Sequence, residues 1–475
     1  MSTNISRRKV VAGAAWAAPV VAASAAVPAF ASSTECDWNS TENYSISGQP
    51  SGARDTLKFT IPAKVDKLRF EVAGGAGGGS AQVAGGSGAL VTGEIPVKAG
   101  QVIELVAAAG GVAYLAPEPG VDSPSLWQTR PATGGKGYGN GGDVNAQPVP
   151  ADAKARVDAN WSKPSDMKRY LYGGSGGGSS ALIIDGTPIA VAGGGGGAGI
   201  RTQPGTNNMP SGKYYNPKAV DASTTRLSDP DVKSVLPAGA SASAAVGDSA
   251  ETSVSHYTVL KPFASDRTAM KVAGGNGGGN GQGGAGGEQP LLYNDKANVR
   301  GVLGFTSQNK QELFSSATAG DKGGSGFDGK GADGVFAYSY QIDNNDISKL
   351  EIVHQTNPLN LNEKRPYSEK DTRKSFNGYQ TVVSAGGGAG YGGGGSGAAR
   401  GLSSIITSQK WNANEEPTRY RQNVSALLQA GAGGAGGSYV SPTVPNGIIA
   451  SANNAAKQSG VRNPGYVKVT LCTRS

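Results

Sequence analysis

Apolar side chains recur at every second position in several short segments of this chain. Segments 57–61, 68–72 and 467–471 each alternate Leu, Phe, Ile or Val with polar residues. This period of two predicts β-strands with one buried face. Apolar composition predicts five further strands, at Ala89 to Ile95, Val102 to Ala107, Val254 to Leu260, Val335 to Gln341 and Leu350 to His354.

Asp185 and Gly186 lie between two apolar runs in the stretch ALIIDGTPIAVAGG. An Asp-Gly pair in this setting predicts a β-hairpin with a tight turn. Helical patterns are scarce, and only residues 152–161 and 423–431 are candidates for short helices. Many short strands with few helices predict an all-β fold, either a β-sandwich or a jelly roll.

Dense glycine interrupts the strand pattern. The chain has 76 glycines in 475 residues, about twice the usual share of roughly 7%. Six segments, beginning at Gly74, Gly173, Gly193, Gly274, Gly386 and Gly433, can be divided into triplets that contain mostly glycine. In residues 274–287 the middle position of each triplet is always glycine, at Gly275, Gly278, Gly281, Gly284 and Gly287.

A period of three is typical of the extended left-handed helix of polyproline II type, which has no internal hydrogen bonds. Without side chains, such helices can approach closely and hydrogen-bond sideways. We therefore predict a jelly-roll-like β-sandwich with a bundle of polyglycine II helices. Flexible linkers are the alternative interpretation of such tracts, but apolar strands run directly into several of them, as in VAGGGGG from Val191. Collagen would require long runs rich in proline, which these are not.

The first 31 residues have the order of a secretory signal peptide, with a basic start, an apolar run and a final AFA. Arg7 and Arg8 after Ser6 favour the twin-arginine (Tat) route, although Val10 and Val11 replace the bulkier residues usual there, so another export route remains open. The net charge of +8 includes Arg7, Arg8 and Lys9, and the mild surplus that remains shows no basic tract that would bind nucleic acid. No apolar run of about 20 residues follows. The protein is therefore expected to be secreted or held at the cell surface.

Two cysteines, Cys36 and Cys472, lie near the two ends of the region 32–475. In an oxidising compartment they predict one disulfide that ties the ends of a single domain together. Such a link implies that the first and last strands lie side by side. Two free thiols or an intermolecular disulfide are the alternatives.

The order of these elements resembles a known family. A strand, a glycine tract, a small-residue strand, a strand after PVKAGQ, another glycine tract, the hairpin and a closing GYVKVTL follow one another. The pattern is similar to the glycine-rich domain in the extracellular part of anaplastic lymphoma kinase and leukocyte tyrosine kinase receptors, and to bacterial surface proteins with that domain. The resemblance covers most of residues 50–475 and implies a jelly-roll-like sandwich with polyglycine helices. In the receptors this region takes part in recognising protein ligands. No kinase motif is present.

Candidate catalytic or cofactor sites are few. His256 and His354 are isolated in strand-like runs, so structural roles are favoured for both. With both cysteines assigned to a disulfide, a zinc site is not expected, and no nucleotide-binding loop is recognisable. GGSGFDGKG at 323–331 matches a calcium β-roll repeat at its glycines and Asp328. Because Lys330 occupies the apolar position and no tandem copy follows, a turn is the preferred interpretation. We predict no catalytic residue, metal or cofactor.

Insertions near 112–170, 201–271, 290–321 and 343–380 hold much of the Tyr, Trp, Lys, Arg and Pro. Long insertions in a compact domain are usually functional or disordered. The leading hypothesis is a non-enzymatic scaffold whose loops bind an unknown protein or polysaccharide for adhesion, recognition or envelope structure. The alternatives are a secreted enzyme acting on cell-wall or polysaccharide material and a protein that assembles into a layer or fibre.

Overall fold

Every regular element in the described part of the chain is a β-strand, so this part is all-β. The computed structural model describes residues 38, 42–79, 83–117, 127–145, 169–201, 239–261, 264–290, 296–300, 307–341, 378–410, 418–455 and 460–473. The strands are β1 (Asn43–Ser47), β2 (Asp55–Thr60), β3 (Val65–Ala73), β4 (Ala89–Pro96), β5 (Val102–Ala107), β6 (Tyr114–Pro117), β7 (Trp127–Arg130), β8 (Arg169–Tyr172), β9 (Ser180–Ile184), β10 (Thr187–Ala192), β11 (Ile200–Arg201), β12 (Ser253–Lys261), β13 (Ala264–Val272), β14 (Lys296–Arg300), β15 (Ser307–Thr318), β16 (Phe336–Gln341), β17 (Gly378–Val383), β18 (Ala399–Lys410), β19 (Thr418–Ala430), β20 (Tyr439–Val440), β21 (Ile448–Ser451) and β22 (Tyr466–Thr473). None of the described residues form a helix that could cross a membrane.

The strand predictions are confirmed where they fall on described residues: β2, β3 and β22 contain the alternating segments, and β4, β5, β12 and β16 the other runs. The predicted helix at 423–431 is wrong, because most of this segment belongs to β19. That strand pairs with β18 through 12 residue pairs, and the tertiary ladder outweighs a weak local preference for helix. The predicted strand at 350–354 and the predicted helix at 152–161 lie outside the described residues.

Two five-stranded antiparallel sheets share the larger hydrophobic core. Sheet 1 has the order β1-β22-β3-β4-β21, and sheet 2 has the order β2-β5-β9-β10-β20. Alternation turns one face of each strand inward, so that Phe70 and Val469 from sheet 1 meet Leu105 and Leu182 from sheet 2 in one buried cluster. Burying such side chains is the main favourable term in folding, at about 1.5–3 kcal/mol for each fully buried large apolar residue.

The Asp-Gly hairpin is confirmed between β9 and β10, where Ile184 pairs with Thr187. Asp185 has a φ of 48° and Gly186 a φ of 79°, the left-handed pair that a two-residue turn of type I′ requires. The Asp185 carboxylate accepts hydrogen bonds from the Val102 backbone N–H at 2.8 Å and from the Gln101 amide at 2.9 Å. These two hydrogen bonds lower the pKa of Asp185 below its ordinary value.

The first and last strands lie side by side, as the sequence predicted. β1 pairs with β22 from Asn43↔Thr470 to Ser47↔Tyr466, and β22 also pairs with β3. Cys472 near the end of β22 is 1% exposed. Cys36 lies outside the described residues, so its pairing with Cys472 stays a prediction.

Strands from the insertions, such as β14 and β15, join strands from outside them, such as β18 and β19, in a second group of sheets. One sheet has the order β11-β19-β18-β15-β14 and another β16-β17-β8, while β6-β7 and β12-β13 are hairpins. Their buried side chains form a separate core that includes Leu171, Ile200, Val382 and Leu428. The insertions therefore contribute paired strands as well as connecting segments.

Eleven glycine-rich segments, here called the glycine tracts, connect these strands. They are residues 74–79, 84–88, 108–113, 132–144, 173–179, 193–199, 239–250, 273–288, 319–334, 384–398 and 431–438. Four of them run between the two groups of sheets: 108–113 joins β5 to β6, 173–179 joins β8 to β9, 193–199 joins β10 to β11, and 431–438 joins β19 to β20. Others turn back on themselves, so the tracts come to lie beside one another.

Candidate functional site

Hydrogen bonding in the tract 173–179 repeats every three residues. Successive N–H groups point to three different neighbouring tracts, and the fourth points again to the first. Gly174 and Gly177 donate to Ala198 and Gly195, Ser175 and Gly178 to Val112 and Ala109, and Gly176 and Ser179 to Gly142 and Gly139. For each neighbour, a donor three residues later in 173–179 binds an acceptor three residues earlier in the neighbouring tract. The tract therefore has one neighbour on each of three sides.

The same period of three recurs in two further tracts. Gly386 and Ala389 donate to Gly174 and Gly177, Gly387 and Gly390 to Ala332 and Gly329, and Gly388 and Tyr391 to Gly434 and Gly437. In the tract 431–438, Gly433 and Gly436 donate to Gly197 and Gly194, and Gly434 and Gly437 to Gly395 and Gly392. The N···O distances in these sets lie between 2.7 and 3.1 Å. These backbones are held by one another, and the tract 384–398 also folds back on itself, with Gly394 and Gly397 donating to Gly388 and Ala385.

The close spacing explains why these residues are glycine. A Cβ atom added to Gly433 would overlap the carbonyl oxygen of Gly386, and one added to Gly196 would overlap that of Gly433. In both cases the obstacle is backbone, which cannot rotate away as a side chain can. The sequence therefore lacks side chains where the chains are in contact.

The glycines at the middle triplet positions of 273–288 lie mostly on its inner side. Gly275 and Gly278 are buried and donate to Ala432 and Ala435, while Gly284 and Gly287 are buried and donate to Gly393 and Ser396. Gly281 differs, because Asn280 and Gly281 form a turn with φ of 53° and 71°. The segment therefore folds back on itself, with the Asn276 N–H donating to the Ala285 oxygen.

Three such turns meet at one end of the layer of glycine tracts. The Gly326 N–H donates to the Gly281 oxygen at 2.9 Å, and the Gly392 N–H to the Gly326 oxygen at 2.9 Å. The Gly281 N–H donates to the Tyr391 oxygen at 3.3 Å and closes the ring of hydrogen bonds. Gly281, Gly326 and Gly392 all have positive φ, between 71° and 98°. The backbone of all three turns is thus fixed in one arrangement.

Aromatic side chains cluster at these turns, and we call Tyr138, Phe327, Tyr391 and Tyr439 the aromatic cap. The centroid of the Phe327 ring lies 4.7 Å from that of Tyr391 in a stacked arrangement and 5.0 Å from that of Tyr439 in an edge-to-face one. The Tyr391 and Tyr439 centroids are 5.1 Å apart. Such distances are typical of favourable ring pairs. All four residues are half-buried.

The aromatic cap covers the outer face of sheet 2. Tyr138, Phe327 and Tyr439 pack against a small apolar cluster that includes Val106, Ile183 and Val191. This cluster lies on the face opposite the main core, because Val106 follows the inward-facing Leu105 on β5. The cap therefore rests on the outer face of sheet 2, and its four residues remain partly exposed within the described part of the chain.

Two carboxylates border the cap. Burial raises the pKa of the Tyr138 hydroxyl, and the negative charges of Asp328 and Glu104 raise it further. Asp328 follows Phe327 in the turn and is exposed, while Glu104 lies on β5 beside Val106. Lys58 is the register partner of Glu104 on β2. Val246, which is 49% exposed and bridges to Gly279, extends the apolar surface beside the turn at Asn280 and Gly281.

The segment that resembles a calcium repeat forms one of these turns. Phe327 enters the cap, and the Lys330 ammonium pairs with the Asp333 carboxylate at 2.7 Å. Among the described residues, no group of three acidic, His or Cys side chains is arranged to hold a metal ion. Of the two histidines, His256 pairs with Ala269 in the β12-β13 hairpin. His354 lies outside the described residues, as does the signal-like segment.

A row of buried polar residues crosses the second group of sheets. Arg201 on β11 and Arg400 on β18 are both register partners of Gln429 on β19, and all three are buried. The Gln429 amide donates to the Ser253 hydroxyl at 2.6 Å. Burial lowers the pKa of Arg201. This row ties the β12-β13 hairpin to the long strands.

A scan of protein-family models found no match to the chain, and a search of curated proteins found no similar sequence. The arrangement described above therefore has to be interpreted from its own chemistry. The sequence did contain a signal for the aromatic cap, because Tyr138, Phe327 and Tyr391 are large side chains within tracts of very small ones. It contained no signal that residues so far apart along the chain would meet.

Proposed function

We propose that this protein is an exported, non-enzymatic scaffold, secreted or held at the cell surface, that presents its insertions for adhesion, recognition or envelope structure. In this proposal the glycine tracts form a bundle of polyglycine II helices within a jelly-roll-like sandwich. The observation that carries it is the three-residue period of hydrogen bonding in 173–179, 384–391 and 433–438. Three residues per turn with outward N–H groups is the geometry of that helix class.

Topology supports the jelly-roll part of the proposal. The chain passes from sheet 1 to sheet 2 between β1 and β2 and again between β4 and β5, and it returns to sheet 1 at β21. The closing strand β22 then lies between β1 and β3. Strands distant in sequence therefore become neighbours, as in Greek-key sandwiches. The proposed kinship with the glycine-rich domain of the receptor kinases rests on the same order of elements.

The ends of the insertions support a presenting role. The insertion 343–380 leaves β16 and returns through β17, which are paired along six residues. Tracts 319–334 and 384–398 follow directly on the other ends of these two strands. Both ends of the insertion are therefore held by elements that the layer of glycine tracts fixes in place. Binding residues are commonly placed on loops that a rigid scaffold positions.

Export is proposed from the N-terminal sequence and the two cysteines. The twin-arginine route carries proteins that are already folded, and it suits a domain whose first and last strands pair across nearly the whole chain. A disulfide between Cys36 and Cys472 would then form outside the cytoplasm.

The test is binding of the mature protein, residues 32–475, to isolated cell envelopes and to host-cell surfaces. Three variants each replace one insertion core, 146–168, 202–238 or 343–377, by a short Gly-Ser linker. We expect saturable binding that at least one replacement abolishes, with the thermal midpoint of the domain retained. Glu94→Gln, a substitution in an exposed ion pair with Arg69 on sheet 1, is the matched control and should bind as the parent does.

Two results would contradict the proposal. One is turnover of envelope polysaccharide that a single carboxylate or histidine substitution abolishes, since this would make the protein an enzyme. The other is surface binding that none of the three replacements alters. Electron microscopy of the same material shows whether the protein presents its insertions as single molecules or assembles into a layer or fibre.

A further inference from the structure

We propose that the aromatic cap binds arginine or lysine side chains of a protein partner, with Asp328 and Glu104 as the countercharges. This inference rests on the proposed recognition function and gives it a ligand chemistry. It concerns a surface built by the glycine turns and by sheet 2, distinct from the insertion cores 146–168, 202–238 and 343–377.

The first step is rigidity. Three turns hold one another through the hydrogen bonds that join Gly281, Gly326 and the Tyr391–Gly392 pair. Phe327 and Tyr391 belong to two of these turns, and Tyr439 pairs with Val191 at the edge of sheet 2. Rings fixed in this way lose little conformational freedom on binding, which favours affinity. A flexible tract would have no such advantage.

The second step is the chemistry of the rings. Three aromatic rings with centroids 4.7–5.1 Å apart give a compact surface that is rich in π electrons. Cations are attracted to such faces, by about 0.5–1 kcal/mol at exposed sites. Tyrosine is also enriched at the energetic centres of protein interfaces. The cap therefore suits a cationic side chain with an apolar stem, such as arginine or lysine.

The third step is charge. The carboxylates of Asp328 and Glu104 border the cap beside Phe327 and Val106, and Lys58 is in register with Glu104. These two carboxylates add to the effect of burial in raising the pKa of the Tyr138 hydroxyl. A guanidinium or ammonium group can form ion pairs and charge-assisted hydrogen bonds with these two carboxylates, whereas the hydroxyls of a neutral polysaccharide carry no countercharge. Charge complementarity thus favours a basic protein surface over a neutral glycan.

The experiment is isothermal titration of the mature protein at low ionic strength. The probe is the peptide acetyl-GRGRGRG-amide, and the matched probe carries citrulline, a neutral analogue, in place of each arginine. A hexamer of N-acetylglucosamine represents the polysaccharide class. We expect saturable binding of the arginine peptide, binding of the citrulline peptide weaker by about tenfold, and no binding of the sugar.

Two sets of variants locate the binding. Glu104→Gln combined with Asp328→Asn should weaken the affinity for the arginine peptide by about fivefold. Glu94→Gln should leave this affinity within about twofold of the parent value. Tyr391→Ala combined with Tyr439→Ala should weaken it by about fivefold as well, and Tyr114→Ala, at an exposed tyrosine outside the cap, should not. If the tyrosine double variant does not fold, the Glu104→Gln/Asp328→Asn variant is sufficient to test the inference, because it removes no packed ring.

Three results would overturn the inference: no saturable binding of the arginine peptide, equal binding of the citrulline peptide, or arginine binding that both carboxylate substitutions leave unchanged. Each is distinguishable from failure of the proposed function. If replacement of an insertion abolishes surface binding but the arginine peptide does not bind, the cap site is refuted and the proposed function is not. Substrate turnover would refute the scaffold whatever the peptide does.

Discussion

At the scale of single residues, the molecule depends on the absence of side chains. Gly433 donates to the Gly197 oxygen, and its α-carbon faces the Gly386 carbonyl. One residue therefore contacts two other tracts through backbone alone. Ordering glycine costs more conformational entropy than ordering any other residue, so the lateral hydrogen bonds must offset that cost. They can do so because each backbone N–H group described above as a donor in 173–179, 384–391 and 433–438 has an acceptor oxygen within normal hydrogen-bond distance.

Substitution at Gly433 tests this claim. Gly433→Ala places a methyl group against the Gly386 backbone, and we expect it to lower the free energy of unfolding by about 3 kcal/mol, at the upper end of overpacking effects. Urea unfolding measures the change. The control is Ala285→Ser, which adds one atom at an exposed position of the tract 273–288. A Gly433→Ala variant as stable as the parent would show that the tracts do not pack as described.

At the scale of elements, the sequence predicted what has a local cause. Alternation located β2, β3 and β22, and the turn chemistry of Asp185 and Gly186 located the hairpin. The segment at 423–431 was misassigned, because what decides its conformation is pairing with β18, a contact its own residues do not encode. The turn at Asn280 and Gly281 was not predicted, although its cause is also local. Asn-Gly is a preferred pair for a two-residue turn, and Gly279 and Gln282 close the turn with two hydrogen bonds.

The contacts within the aromatic cap have no local cause in the sequence. Tyr138, Phe327 and Tyr391 were visible in the glycine tracts, but they come from three different tracts, and Tyr439 lies at the edge of sheet 2. Their proximity follows from the lateral order of the tracts, which sequence spacing does not determine. The second core was not predicted either: Leu171 and Val382 lie just outside the predicted insertions, and Leu428 lies in the segment predicted as a helix.

Proline substitution tests the conformation of a single tract. The Ala285 N–H donates to no acceptor within the described part of the chain, whereas the Asn276 N–H donates to the Ala285 oxygen at 2.8 Å. Both side chains are exposed. Proline's fixed φ suits a polyproline II type helix, so Ala285→Pro should leave the thermal midpoint nearly unchanged. Asn276→Pro should lower stability by about 1–3 kcal/mol through the lost hydrogen bond. Equal loss in both variants would contradict the proposed helix type.

At the scale of the whole molecule, the backbone of the glycine tracts joins the two larger β cores of the described residues. Tracts 173–179, 193–199 and 431–438 each connect one group of sheets to the other. The hydrogen bonds between them link segments hundreds of residues apart. The first and last strands also pair with each other directly. A disulfide between Cys36 and Cys472 would close a loop that spans nearly all of residues 32–475.

Reduction of the protein tests that last point. If Cys36 and Cys472 are linked, the mature protein carries no free thiol, and reduction should lower the free energy of unfolding by about 2–5 kcal/mol. Thiol titration and thermal unfolding with and without reductant measure both effects. The Cys36→Ser/Cys472→Ser variant is the control and should be insensitive to reductant. Two titratable thiols in the untreated protein would refute the link.

Amide hydrogen exchange of the tracts tests the central claim most directly. Mass spectrometry of the mature protein would follow residues 273–288, 384–398 and 431–438, with a Gly-Ser linker fused at the C-terminus as an internal standard. We predict slow exchange at Gly275, Gly278, Gly284 and Gly287, whose N–H groups donate to neighbouring tracts, with protection similar to that of the strands. Exchange of these glycines as fast as that of the fused linker would contradict the account.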